Sequence, residues 1–192
     1  MNQKLENIRR KKEEIRKEIF KQLREQDPSL RRERSRKVQD KLLSSSEYKN
    51  SKVVMTYVSL PTEVDTYDII RETLERGKKL AVPSIDTVSR TIIASELTSI
   101  DDLVEGHFGI YEPKDGPART IQPEEISLIV VPGVAFDRKN MRLGRGKGYY
   151  DKFLANKDIS SAKTIGLAFK FQVLDSLHPD PHDIPVSRVI TE

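Results

Sequence analysis

Leu128-Ile129-Val130-Val131 runs directly into Pro132-Gly133-Val134-Ala135-Phe136-Asp137-Arg138-Lys139-Asn140-Met141-Arg142-Leu143-Gly144-Arg145-Gly146-Lys147-Gly148-Tyr149-Tyr150-Asp151. The four apolar residues read as a strand buried on both faces, the habit of a parallel sheet. Gly148–Ala155 reads as a helix. The glycine-rich segment between them therefore falls at the carboxyl end of a parallel strand, where open α/β sheets bind ligands.

Working outward, strands and helices alternate. Val53–Val58 is β-rich, and Asp65–Arg76 is a helix through Ile69, Ile70 and Leu74, closed by Gly77. Leu80–Pro83 and Thr91–Ser95 are short strands, Thr164–Phe169 another, and Val186–Ile190 an edge strand. This order predicts an α/β, Rossmann-like, mainly parallel sheet flanked by helices. Ile8, Ile15, Ile19 and Leu23 set a helical period over residues 4–25. Asp27-Pro28 ends that helix and caps a second, whose apolar stripe is Leu30, Val38 and Leu42, with Ser44–Ser46 as a connector. Stripes this thin cannot form a core alone, so both helices should pack on the sheet. Residues 1–192 are read as a single domain without internal repeats.

The chain has 192 residues and a net charge of +4. Residues 1–41 carry fifteen Lys and Arg against eight Asp and Glu, so the remainder is acidic. That basic segment reads as a solvated helical face, an anion dock or a nucleic-acid contact. No aromatic-rich RNA-binding signature or helix-turn-helix pattern supports the last, so no nucleic-acid partner is expected. There is no cysteine, which excludes disulfides, thiolate zinc sites and a cysteine nucleophile. No apolar run is long enough for a membrane helix, and the charged N-terminus lacks a signal-peptide pattern. A soluble, cytoplasmic monomer is the expectation. His107, His178 and His182 show no zinc spacing and are read as structural or surface residues.

In the loop, Gly144, Gly146 and Gly148 alternate with Arg145 and Lys147. Glycines let backbone N–H groups approach phosphate oxygens, and Arg142, Arg145 and Lys147 supply charge. Lys147 is followed by Gly148 rather than Ser or Thr, so this is not a Walker A loop, and G-x-G-x-G is not the dinucleotide fingerprint. On these residues alone, a mobile surface loop with solubilising cations remains the alternative to a phosphate site.

The run Arg142–Asp151, preceded by Pro132–Asp137, resembles the signature of the 5-formyltetrahydrofolate cyclo-ligase family. Lys12-Glu13-Glu14-Ile15-Arg16 is similar to the family's Lys-x-x-Leu-Arg element. Tyr57–Thr66 resembles the turn that holds the folate, and Gly109-Ile110-Tyr111-Glu112-Pro113 the family's Gly-Ile-x-Glu-Pro. The resemblance implies ATP- and Mg²⁺-dependent conversion of 5-formyltetrahydrofolate to 5,10-methenyltetrahydrofolate through a phosphorylated formyl oxygen. It assigns Lys12, Arg16, Arg142, Gly144, Arg145, Gly146, Lys147, Gly148, Tyr149 and Tyr150 to ATP. Arg145 is also the catalytic arginine. Val58, Glu63, Tyr149 and Tyr150 fall to the folate, and Asp151 and Asp183 to the metal. Two positions depart from the pattern: Ser187-Arg188 stands where members often carry an acid, and Lys147 where many have glycine.

Overall fold

The computed structural model describes residues 2–106, 109–114, 116, 119–159, 161–180 and 183–192. His107 and His182 lie outside the described residues. Its helices are α1 (Asn2–Glu25), α2 (Pro28–Ser44), α3 (Ser46–Asn50), α4 (Tyr67–Glu75) and α5 (Tyr149–Leu154). The strands are β1 (Val53–Met55), β2 (Lys79–Asp86), β3 (Thr91–Glu96), β4 (Leu103–Glu105), β5 (Tyr111–Pro113), β6 (Leu128–Val131), β7 (Ala135–Asp137), β8 (Arg142–Leu143), β9 (Lys163–Leu167), β10 (Val173–Leu174) and β11 (Arg188–Ile190).

The main sheet runs β11-β9-β6-β1-β2-β3. Every pairing is parallel except β2–β3, which is antiparallel. The chain enters at β1, moves out through β2 and β3, then returns to the other side of β1 to lay down β6, β9 and β11. Strand order therefore reverses between β1 and β6, and the loops after these two strands diverge to leave a crevice. A small β10-β7-β8 sheet and a β4–β5 hairpin complete the described strands.

Strand alternation sends one set of side chains to each face. Val54, Leu128, Val130, Ile165 and Leu167 pack with Ile19 and Leu23 of α1, Val38 and Leu42 of α2 and Ile69 of α4. Val53, Met55, Ile129 and Val131 pack with Phe136 and with Phe153 and Leu154 of α5. The N-terminal helices thus dock on the sheet as expected. Leu30 does not join them: it is exposed, and α2 buries Val38 and Leu42 instead. The Asp27 carboxylate accepts from the N–H groups of Ser29 and Leu30, each at 2.9 Å, fixing the start of α2. Gly77, at φ 65°, ends α4 by donating to the Leu74 carbonyl.

Two local expectations change. The β-rich run 53–58 pairs regularly only to Met55, because Thr56–Val58 turn toward the crevice. The serine connector is partly helical: the Ser45 hydroxyl accepts the Tyr48 N–H and caps α3.

Candidate active site

A cleft of about 380 Å³ opens at the carboxyl ends of β1 and β6. One side is apolar, with Val58, Pro83, Ile85, Ile92 and Ile110. The other is the 132–151 loop, which contributes Arg142, Gly144, Arg145, Lys147, Tyr149 and Asp151. Glu63, on the turn after β1, and Phe20 of α1 close the rim.

The two loop arginines behave differently. Arg142 sits in β8, paired opposite Phe136, and is only 6% exposed. Its Nη2 donates to Asp151 at 2.6 Å, its Nη1 to the Pro132 carbonyl at 3.3 Å, and its guanidinium lies 5.6 Å from the Tyr150 ring. A Cβ at Gly144 would fall 2.6 Å from the Arg142 guanidinium, so a side chain there would have to push that group off its partners. The Arg145 side chain is 44% exposed. It reaches across the cleft to Glu63 through Nε at 3.3 Å and Nη2 at 2.9 Å, with Phe20 beneath it at 5.3 Å.

Gly146 and Gly148 need glycine for another reason: their φ angles are 99° and 73°, in the left-handed region. Lys147 between them is not, so a side chain there strains nothing, which explains the departure at 147. Gly148 precedes α5, which spans only six residues, so the helix dipole expected at this end is weak.

Helix α1 presents Lys12, Arg16 and Phe20 four residues apart, one face pointing at the loop. Arg16 Nε donates to the Gly144 carbonyl at 2.9 Å and packs beside Gly146. Lys12 is buried between Asp180 at 2.9 Å and Asp183 at 2.5 Å. Burial alone would lower the Lys12 pKa, but hydrogen bonds and charge from Asp183 and Asp180 outweigh it and hold it above the ordinary lysine value. Burial also raises Tyr150, with Glu63 adding to the rise and Arg142 opposing it, so this phenol stays neutral. Tyr57 is raised well above the tyrosine range, first by burial, and donates to the Val64 carbonyl.

A model of the 5-formyltetrahydrofolate cyclo-ligase family matches residues 8–192. The chain belongs to that family. A 5-formyltetrahydrofolate cyclo-ligase of Mus musculus is 31% identical over 186 residues, covering 93% of this chain and 92% of the mouse protein. One from Escherichia coli (strain K12) is 28% identical over 139 residues, covering 72% and 76%. Among solved structures, the Aquifex aeolicus 5,10-methenyltetrahydrofolate synthetase superposes with a TM-score of 0.81 at 37% identity, over 93% of this chain and 88% of that one. A Mycoplasma pneumoniae synthetase shares the fold at a TM-score of 0.74 and 24% identity, covering 94% and 98%.

Of the residues that the cyclo-ligase resemblance singles out, Val58, Glu63, Arg142, Gly144, Arg145, Lys147, Gly148, Tyr149, Tyr150 and Asp151 line the one cleft. Arg16 and Gly146 meet directly behind it. Lys12 and Asp183 form a separate buried pair, and among the described residues no contact links Asp183 to Asp151. Ser187 is structural, its hydroxyl serving Thr164, while Arg188 pairs with Glu47 at 3.2 Å. The sequence reading overlooked Phe20 and Asp180. The first was legible as the next step of the Lys12/Arg16 spacing. The second stands three residues before Asp183, but proline flanks hide any helical or strand period there.

The chemistry of the donor set suits a magnesium ion shared with phosphates. Asp151 is a partly exposed carboxylate at the cleft. Among the described residues no group of three or more His, Asp or Glu gathers to form a full cage. Mg²⁺ characteristically takes one or two carboxylates and completes its shell with phosphate oxygens and water.

Proposed function

We propose that this chain catalyses the ATP- and Mg²⁺-dependent closure of 5-formyltetrahydrofolate to 5,10-methenyltetrahydrofolate, releasing ADP and phosphate, as a cytoplasmic monomer. One observation carries the reading. On a chain of this family, a carboxylate-bearing turn at Glu63 and a glycine-rich cationic loop at Arg142–Tyr149 converge in one cleft where strand order reverses.

The chemical problem is a leaving group. A formyl oxygen on nitrogen leaves poorly. Transfer of the γ-phosphoryl group to it breaks the bond to ADP and forms an O–P bond. The second folate nitrogen then attacks the formyl carbon and gives up its proton to solvent. Phosphate leaves with the original oxygen, and the methenyl bridge remains.

This assignment gives each residue a task. Glu63 accepts hydrogen bonds from the N–H edge of the pterin, and Val58 with its apolar neighbours packs on the ring. Tyr149 and Tyr150 narrow the cleft between the two substrates. Gly144, Gly146 and Gly148 let backbone approach the polyphosphate, with Arg142, Lys147 and Arg16 as its cations, and Lys12 would add to them on release from Asp180 and Asp183. Asp151 would hold Mg²⁺, which when bound neutralises charge on the phosphates, and Asp183 would join it on release from Lys12. Arg145 follows the phosphoryl group in transit, where positioning and charge neutralisation account for most of the catalysis.

The test is spectroscopic. Adding 5-formyltetrahydrofolate and MgATP to the pure protein should produce the absorbance of the conjugated methenyl product, in step with loss of ATP. No product with ATP intact overturns the activity. If both ligands nevertheless bind, the chain is an ATP- and folate-binding protein on the same scaffold.

A further inference from the structure

We infer that Glu63 is a positioning residue for Arg145 as well as an acceptor for the pterin, and that competition for its carboxylate couples the two substrates. The inference rests on the function proposed above and adds to it an interaction between the half-sites.

A carboxylate oxygen has about two acceptor sites. On Glu63, Oε1 takes both Nε and Nη2 of Arg145, so its capacity is filled. Oε2 accepts the Leu60 N–H at 2.9 Å, and the Glu63 N–H returns to the Leu60 carbonyl at 3.0 Å. Glu63 is therefore fixed in its own turn, and its side chain is only 15% exposed. Arg145 is the movable partner. It is half-exposed, flanked by Gly144 and Gly146, and backed by the Phe20 ring rather than by a second carboxylate.

The pterin's amide and amino N–H groups form a planar pair of donors, as a guanidinium does. Both need Oε1, whose capacity Arg145 already fills, so a pterin held edge-on by Glu63 displaces Arg145. The released guanidinium swings on its glycine-flanked loop toward the phosphates, since the other carboxylate of the cleft, Asp151, is already paired with Arg142. Each substrate thus removes a competitor of the other. The pair is partly exposed and solvent-screened, so the coupling is modest, about three- to fivefold in affinity.

Calorimetry would use 5-methyltetrahydrofolate, which has no formyl oxygen to phosphorylate, and a non-hydrolysable ATP analogue with Mg²⁺. In the wild type each ligand should tighten the other by about three- to fivefold. Glu63→Gln keeps an acceptor for Leu60 but frees Arg145. It should bind the ATP analogue more tightly on its own by the same factor, and lose the coupling. Arg145→Ala should bind 5-methyltetrahydrofolate more tightly than wild type, because Glu63 loses its competitor. A purely structural role for the pair would tighten neither ligand. Independent binding in the wild type, or weaker folate binding in Arg145→Ala, overturns the inference. If methenyl product still forms in that case, the activity stands without the coupling. Failure of both ligands to bind overturns both.

Discussion

Arg142 and Arg145 stand three positions apart in one basic loop and perform separable tasks. Arg142 is walled in by Gly144, Pro132, Tyr150 and Asp151, whereas Arg145 reaches across open space to Glu63. Removing a buried cation strands its carboxylate partner, and Asp151 is partly exposed, so Arg142→Ala should cost about 1–3 kcal/mol of stability. Arg145→Ala should cost less than about 1 kcal/mol of stability, the range of a partly exposed ion pair. Its turnover at saturating substrates should nonetheless fall about 10²–10³-fold, the loss expected for a preorganised transition-state donor. Arg145→Lys should restore part of the rate, since ammonium keeps charge without the planar fork. Urea denaturation and turnover on the same four proteins decide it: equal stability losses in Arg142→Ala and Arg145→Ala would remove the distinction. Sequence marks this loop as glycine-rich and cationic but cannot divide labour within it. Which arginine goes inside is settled by the Arg142–Phe136 pairing of β8 and β7, and a two-residue strand leaves no periodicity to read.

At the scale of elements, long periodic segments were legible and short ones were not. α1, α2, α4, β6 and β9 follow from apolar spacing and from Asp27-Pro28 and Gly77. The β4–β5 hairpin and the β7, β8 and β10 strands run two or three residues each, too short to leave a period, and β10 pairs with β7 across the chain, Val173 opposite Phe136. Helix α1 owes its seating to more than apolar contact. Lys12 reaches Asp180 and Asp183 across the chain, and its pKa is raised above 10.5. A group whose folded-state pKa exceeds the unfolded value, about 10.4, stabilises fully below that value and loses the contribution as pH rises through the folded one. The wild type should therefore exceed Lys12→Met by about 1–3 kcal/mol near pH 8. The gap should narrow above about pH 10.5. Tyr57 and Tyr150 also lose stabilisation in alkali, but they do so in both proteins, so the difference between the two isolates Lys12. Denaturation curves at several alkaline pH values would show it. A gap constant with pH would mean that Lys12 contributes through packing alone.

At the scale of the molecule, α1 divides into a projecting start and a docked end. Its described side chains before Lys12 are exposed or half-exposed, whereas Ile19 and Leu23 are in the core. Removal of residues 1–11 should leave both the thermal midpoint and ATP-analogue affinity nearly unchanged. Removal of residues 1–17 takes Lys12 and Arg16 but leaves Phe20, Ile19 and Leu23. The sheet should survive, as judged by circular dichroism, while ATP-analogue affinity falls about tenfold, the size of one charge-assisted hydrogen bond. Normal affinity in the shorter protein would remove α1 from the nucleotide site. The general architecture was legible at this scale, because strand–helix alternation implies a parallel sheet. The place where its order reverses was not, since nothing in the spacing says on which side of β1 the chain returns.

That reversal has a kinetic consequence. Val54 pairs directly with Leu128, so the seam beneath the cleft cannot close until more than seventy intervening residues have been threaded into place. Pairings of such long sequence separation lose much chain entropy before any contact compensates, and they form late. The β2–β3 hairpin pairs near neighbours and can gather early, and the backbone hydrogen bonds within α1 and α2 are local as well, although both helices dock only once the sheet is there. Ligand-binding competence should therefore return after most helical signal during refolding, as the last event to complete rather than the first.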